Sequence, residues 1–199
     1  MTTDAGEGPR RPRLPRKPHY LSSGGSKRVL LISGSTRFAS TNSAFVRTAA
    51  LVAPSPIVGI VYAGMTTLPH FDPDLDADSP PDAVVDLRSA IADAHAVLFC
   101  TPEYAGTLPG ALKNLLEWTV GATVLTDKPV AWINVAADPR RGHGAIANLE
   151  TVLGYVQARI VAEACGSVPV PRDAVGPDGL IADTFVRERA AGVLQTLVR

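Results

Sequence analysis

The chain has 199 residues and a mass of 20.9 kDa, the size of one domain with room for a sizeable core. Hydrophobic residues make up 46% and charged residues 19%, which excludes a disordered chain and a charged coiled coil. Nineteen Lys+Arg balance nineteen Asp+Glu, but residues 1–28 hold seven basic and two acidic groups (net +5) and the rest holds 12 and 17 (net −5), so the acidic body argues against a nucleic-acid surface.

In chain order, residues 1–26 are rich in Pro, Gly, Ser and Arg and have almost nothing to bury. They are expected to form a flexible basic leader ahead of a folded unit at 27–199. No apolar segment follows those basic residues, so they do not make a secretory signal. Arg28–Ser33 is an apolar run of strand length, and 42–53 follows with Phe45, Ala49 and Val52 on one helical face. A second strand is predicted at 56–62, then a Pro- and Asp-rich surface connection to residue 81. A helix over 82–94 carries Val84, Leu87, Ile91 and Ala94 in a stripe. A third buried strand over 95–101 leads to a helix at 109–120, with Pro109 in its first turn. A fourth strand is predicted at 128–136, and a helix at 144–162 with Ile146, Leu149, Leu153, Val156 and Ile160 along one seam. A short fifth strand over 166–171 and a last helix over 182–198 complete the pattern.

Strands that are apolar throughout belong to a parallel sheet with helices on both faces. Right-handed crossovers then predict a doubly wound, five-stranded α/β/α sandwich of three layers. Two cysteines, Cys100 and Cys165, are too few for a disulfide framework and lack the spacing of a zinc site. They are expected to be buried free thiols in a reducing cytoplasm, with no metal bound. No apolar run approaches the ~20 residues that cross a bilayer, so no membrane role is expected.

In such a sheet, ligands bind beyond the carboxyl ends of the strands, where the winding direction reverses. The turn after the first strand, 33–42, is full of hydroxyls and contains one arginine, Arg37. It matches neither the three-glycine dinucleotide fingerprint nor the P-loop. Ser35, Arg37, Ser40, Thr41 and Asn42 at a helix start suit a terminal phosphate. The same residues also admit a simple N-cap at Ser40 or Thr41 beside a solvated Arg37. The turn after the third strand leaves through Pro102 and returns through Pro109, with Gly106 and Gly110 allowing close approach of a flat ligand and Tyr104 offering an aromatic face. After the fourth strand, Arg140 and Arg141 suit a nucleotide phosphate or plain solvent, and His143 a proton donor or an incidental loop residue.

Together the first two turns resemble the NADPH-dependent FMN reductase family of flavodoxin-like proteins. The resemblance rests on Gly34, Ser35, Arg37, Ser40 and Asn42, and on Thr101, Pro102, Glu103, Tyr104, Gly106, Pro109, Gly110, Leu112, Lys113 and Asn114, with Leu68–Leu75 as a further similar stretch. It covers roughly residues 28–198. It implies FMN held without a covalent bond, its phosphate in the turn of Ser35, Arg37, Ser40, Thr41 and Asn42, and its ring against Pro102, Glu103, Tyr104, Ala105 and Gly106. It also implies NADPH or NADH as co-substrate, a quinone, flavin or other small acceptor, ping-pong hydride transfer, and a homodimer or homotetramer. No side chain need act as nucleophile or general acid, because the cofactor carries the chemistry. Ala105 stands where the family usually has Asn. The competing readings are a flavodoxin-like electron carrier that does not use NAD(P)H, and a relative that binds no flavin.

Overall fold

Every residue from Val29 to Ile32 and from Ala96 to Cys100 is buried, which requires cover on both faces of the strands they form. In the computed structural model, residues 25–37, 39–77, 79–138 and 140–199 are described; residues 1–24, and with them almost all of the expected leader, lie outside that set. The described elements are β1 (Lys27–Ser33), α1 (Thr41–Leu51), β2 (Ile57–Val61), α2 (Asp82–Asp93), β3 (Ala96–Cys100), α3 (Gly110–Glu117), β4 (Pro129–Asn134), α4 (His143–Tyr155), β5 (Arg159–Ile160), β6 (Gly166–Ser167) and α5 (Thr184–Leu197). The strands are parallel, in the order β2-β1-β3-β4-β5, with β6 also paired to β4. The path runs outward from β1 to β2, then crosses back to β3 on the other side of β1. The carboxyl ends of β1 and β3 therefore flank the switch point.

Alternation along each strand sorts the side chains into two cores. Val29 and Leu31 of β1, with Leu98 and Cys100 of β3, pack with Phe45 of α1 and Leu194 of α5. Leu30 and Ile32, with Val97 and Phe99, pack with Leu87 of α2, Leu112 of α3 and Leu149 of α4. Each fully buried aliphatic side chain contributes roughly 1.5–3 kcal/mol of transfer free energy. The predicted three-layer sandwich is the observed one.

The fifth strand differs from its prediction. Helix α4 stops at Tyr155 instead of running to 162, because Gln157 turns to a φ of +58°. The Ala158 N–H then donates to the Leu153 carbonyl at 2.9 Å and the Gln157 N–H to the Gly154 carbonyl at 3.1 Å, a Schellman cap with glutamine in the place where glycine is usual. Ile160, which falls on the helical seam by spacing, is a strand residue opposite Val130. The chain leaves the sheet through a single turn at Ala162–Ala164 and rejoins it as β6, opposite Ile133 and Asn134. The strand predicted at 166–171 is thus β6, and a second short ladder, β5, lies within the predicted helix, both against β4. Pro109, predicted inside the first turn of its helix, is the residue that caps α3.

The Leu68–Leu75 stretch is tied to α3. Asn114 accepts from the Phe71 N–H through Oδ1 at 2.7 Å and donates through Nδ2 to the Pro69 carbonyl at 2.9 Å. Trp118 donates to the same carbonyl at 2.9 Å, and the Phe71 ring meets the indole edge-on at 5.0 Å. Trp118 is fully buried within this chain.

Candidate functional site

Three backbone approaches bring the carboxyl-end turns together. Gly34 donates its N–H to the Cys100 carbonyl at 2.9 Å, and a Cβ there would lie 2.2 Å from Thr101 Oγ1; the turns after β1 and β3 touch because residue 34 has no side chain. A Cβ on Gly144 would lie 2.2 Å from the Gly106 carbonyl oxygen, so the turn after β3 also rests directly on the start of α4. Gly142, at a φ of +89°, passes over the Asn134 amide, whose Nδ2 donates to the Arg141 carbonyl at 2.8 Å and whose Oδ1 accepts from the Ala136 N–H at 3.0 Å.

The turn after β1 is organised by hydroxyls. Ser33 Oγ contacts Ser43 Oγ at 2.9 Å and accepts from the Ser35 N–H at 3.2 Å, and Ser35 Oγ accepts from the Arg37 N–H at 3.3 Å. Ser40 is the N-cap of α1, accepting from the Asn42 N–H at 3.2 Å. Asn42 Oδ1 accepts from the Cys100 thiol at 3.3 Å, which leaves the amide NH2 for the space above the sheet. Burial pushes the Cys100 thiol well up from its ordinary value, so it stays protonated and inert.

The turn after β3 is organised by the backbone. Tyr104 and Thr107 exchange two N–H···O bonds of 3.0 Å around Ala105 and Gly106, whose φ angles are +50° and +76°. Two consecutive positive φ values define a two-residue hairpin turn of the type that favours Asn-Gly. Here Ala105 occupies the first position. Glu103 reaches away from the turn: its Oε2 accepts from the N–H groups of Gly144 at 2.8 Å and Ala145 at 3.4 Å, placing a carboxylate at the positive end of α4.

Two adjoining cavities open over these turns. The smaller, about 180 Å³, is lined by Ser35, Arg37, Ser40, Thr41 and Asn42 from the turn after β1, by Pro102 and Tyr104 from the turn after β3, and by Arg172. The larger, about 800 Å³, shares Thr41, Asn42, Pro102, Tyr104 and Arg172 with it and extends past Glu103 to Asn134, Asp138, Arg141 and Val170. Eight of the ten residues expected at the site from sequence line one cavity or the other. Ala105 and Gly106 line neither and form the tip of the hairpin turn. Of the two arginines after β4, Arg141 lines the larger cavity, whereas Arg140 is locked in a two-pronged pair with Asp138, at 3.0 and 2.9 Å. That hydrogen bond holds the Asp138 carboxyl below its ordinary range.

Sequence reasoning missed Arg172, Val170 and Asn134, and the packing roles of Gly142 and Gly144. A signal for Arg172 exists: in a parallel sheet every strand ends on the same rim, including the last. Residues 166–171, followed by an arginine, therefore point to it.

FMN consists of a dianionic phosphate, a polyol chain and a flat tricyclic ring. The smaller cavity offers hydroxyls, an amide and two guanidinium groups, and among the described residues no carboxylate lines it. The larger has the volume for a ring system beside Pro102 and Tyr104. The residues present fit the group.

Residues 27–170 match the family model described as NADPH-dependent FMN reductase. The chain is 35% identical over 121 residues to a quinone reductase of Pseudomonas putida, the match covering 59% of this chain and 64% of that one. It is 30% identical over 172 residues to an NAD(P)H-dependent FMN reductase of Pseudomonas aeruginosa, covering 85% and 92%. Among solved structures it superposes on FerB, a flavoenzyme NAD(P)H:(acceptor) oxidoreductase of Paracoccus denitrificans, with a TM-score of 0.69 and 26% identity over 86% of this chain and 97% of that one.

Proposed function

We propose that this chain, which belongs to the NADPH-dependent FMN reductase family, holds FMN in its two joined cavities and transfers hydride from NAD(P)H to a quinone, a free flavin or another small acceptor. The observation that carries the reading is the pairing of a small cavity lined by Arg37, Ser35, Ser40, Thr41 and Asn42 with a larger one that begins at Pro102 and Tyr104. FMN held there would supply the two-electron chemistry that links the nicotinamide to the acceptor.

The protein's part is to bind and orient. Ser35, Arg37, Ser40, Thr41 and Asn42 would hold the phosphate, with the N-capped start of α1 adding its positive end. Pro102, Glu103 and Tyr104 would flank the ring, and Ala105 and Gly106 give the turn its shape. The Glu103 carboxylate keeps that turn fixed to α4. The exposed part of the larger cavity admits donor and acceptor in succession, the ping-pong order. The unit that carries this activity is 27–199, since the two cores draw on residues from Val29 to Leu197.

The same reading makes the protein a homodimer or homotetramer of the cytoplasm that works on small molecules. Cys100 and Cys165 are free thiols, as a reducing compartment keeps them. No helix among the described residues is long and apolar enough to cross a membrane.

The visible spectrum of the purified protein, recorded anaerobically before and after NADPH or NADH, tests the reading. A flavin absorbance that bleaches rapidly is expected. A flavin that does not bleach would make the protein an electron carrier, and a colourless protein that takes up no FMN would overturn the assignment. In apo-protein, Arg37→Ala is expected to weaken FMN binding roughly ten- to a hundred-fold, the equivalent of ~1.5–3 kcal/mol for a charge-assisted bond.

A further inference from the structure

The turn after β1 is not the only source of positive charge at the smaller cavity. Arg172 also lines it, and it comes from the far end of the chain. Its position is set by the sheet. Beyond β6 the Val168 N–H donates to the Asn134 carbonyl at 2.9 Å and the Val170 N–H to the Val135 carbonyl at 3.2 Å. The strand thus continues alongside the end of β4 and delivers residue 172 to the rim. The guanidinium has no protein partner among the described residues. The carboxylates lining the larger cavity are committed elsewhere, Asp138 to Arg140 and Glu103 to the amides of α4. The Arg37 guanidinium, among the described residues, donates to the Ala39 carbonyl at 2.9 Å and meets no carboxylate. Two arginines therefore line one small polar space that, among the described residues, no carboxylate lines.

We infer that Arg172 is a second phosphate-binding arginine, joining Arg37 on the cofactor's terminal phosphate and so selecting FMN over its dephosphorylated form, riboflavin. The inference rests on the proposed FMN site and adds a residue to it. A phosphate monoester carries nearly two negative charges at neutral pH, and one guanidinium neutralises only half of them. Arg172 lies at the junction of the two cavities, where the phosphate end of the ligand gives way to the rest.

Apo-protein titrated with FMN and with riboflavin, followed by quenching of flavin fluorescence, tests this in wild type, Arg172→Ala, Arg172→Lys and Arg37→Ala. Arg172→Ala is expected to weaken FMN roughly ten-fold, to leave riboflavin within about two-fold of wild type, and to flatten the loss of FMN affinity with added salt. Arg172→Lys restores part of the affinity, since it returns the charge without the fork. Equal weakening of both flavins, or no change in either, overturns the inference. If Arg37→Ala weakens FMN while Arg172→Ala does not, the inference alone falls. If wild type binds neither flavin, the FMN reading falls with it.

Discussion

Between Ser33 and Asn42 the chain is held by side-chain hydroxyls that bond to backbone N–H groups within the same turn. Between Pro102 and Gly106 it is held by a closed pair of backbone bonds and by a carboxylate that reaches forty-one residues along the sequence to α4. The first turn is short-range and leaves its arginine and amide facing the cavity. The second is rigid because distant parts of the fold clamp it, so its most conspicuous charged residue, Glu103, serves the scaffold. Two turns that line one cavity thus divide the work, one presenting donors and the other presenting a fixed wall.

The contrast can be attacked at its strongest contact first. Gly144→Ala would push a methyl group into the Gly106 carbonyl, and neither backbone can yield cheaply. A loss of about 1–3 kcal/mol in urea unfolding is expected, together with weaker FMN binding. An unchanged midpoint would mean that the wall is not clamped from α4. Glu103→Ala comes next, at about 0.5–2 kcal/mol for a lost helix cap. Glu103→Gln, which keeps an acceptor oxygen, should recover part of that loss. The smallest effect has the opposite sign. Ala105 sits at a φ of +50°, a conformation that costs an L-residue about 1–2 kcal/mol, so Ala105→Gly should stabilise the protein by about 0.5–1 kcal/mol once glycine's greater unfolded-state freedom is subtracted. A stabilising Ala105→Gly with unaltered FMN affinity would separate the shape of the turn from any contact made by residue 105.

How much of this is legible in sequence follows from the range of the interactions. The turn after β1 could be read because Ser35, Arg37 and Ser40 act on their immediate neighbours. The layers could be read because Val29 to Ile32 and Ala96 to Cys100 are buried without interruption. Glu103 could not be assigned its partner, since nothing local to it announces the amides of Gly144 and Ala145. The end of α4 was hidden because Gln157, not glycine, takes the left-handed position, and Ile160 continues the helical spacing by coincidence. Arg172 was hidden for a related reason. The strand at 166–171 that delivers it is legible, but its place beside the end of β4, which brings residue 172 to the same rim as the turns after β1 and β3, is a long-range pairing.

The burial of Trp118 has a spectroscopic consequence. Its indole lies in an apolar setting, edge-on to Phe71 and donating to the Pro69 carbonyl, whereas Trp132 is half-buried and donates to the Glu150 carboxylate at 3.0 Å. The two indoles therefore emit at different wavelengths, Trp118 the bluer. A red shift of that component would report release of the 68–71 segment from α3, using a fluorophore the protein already contains.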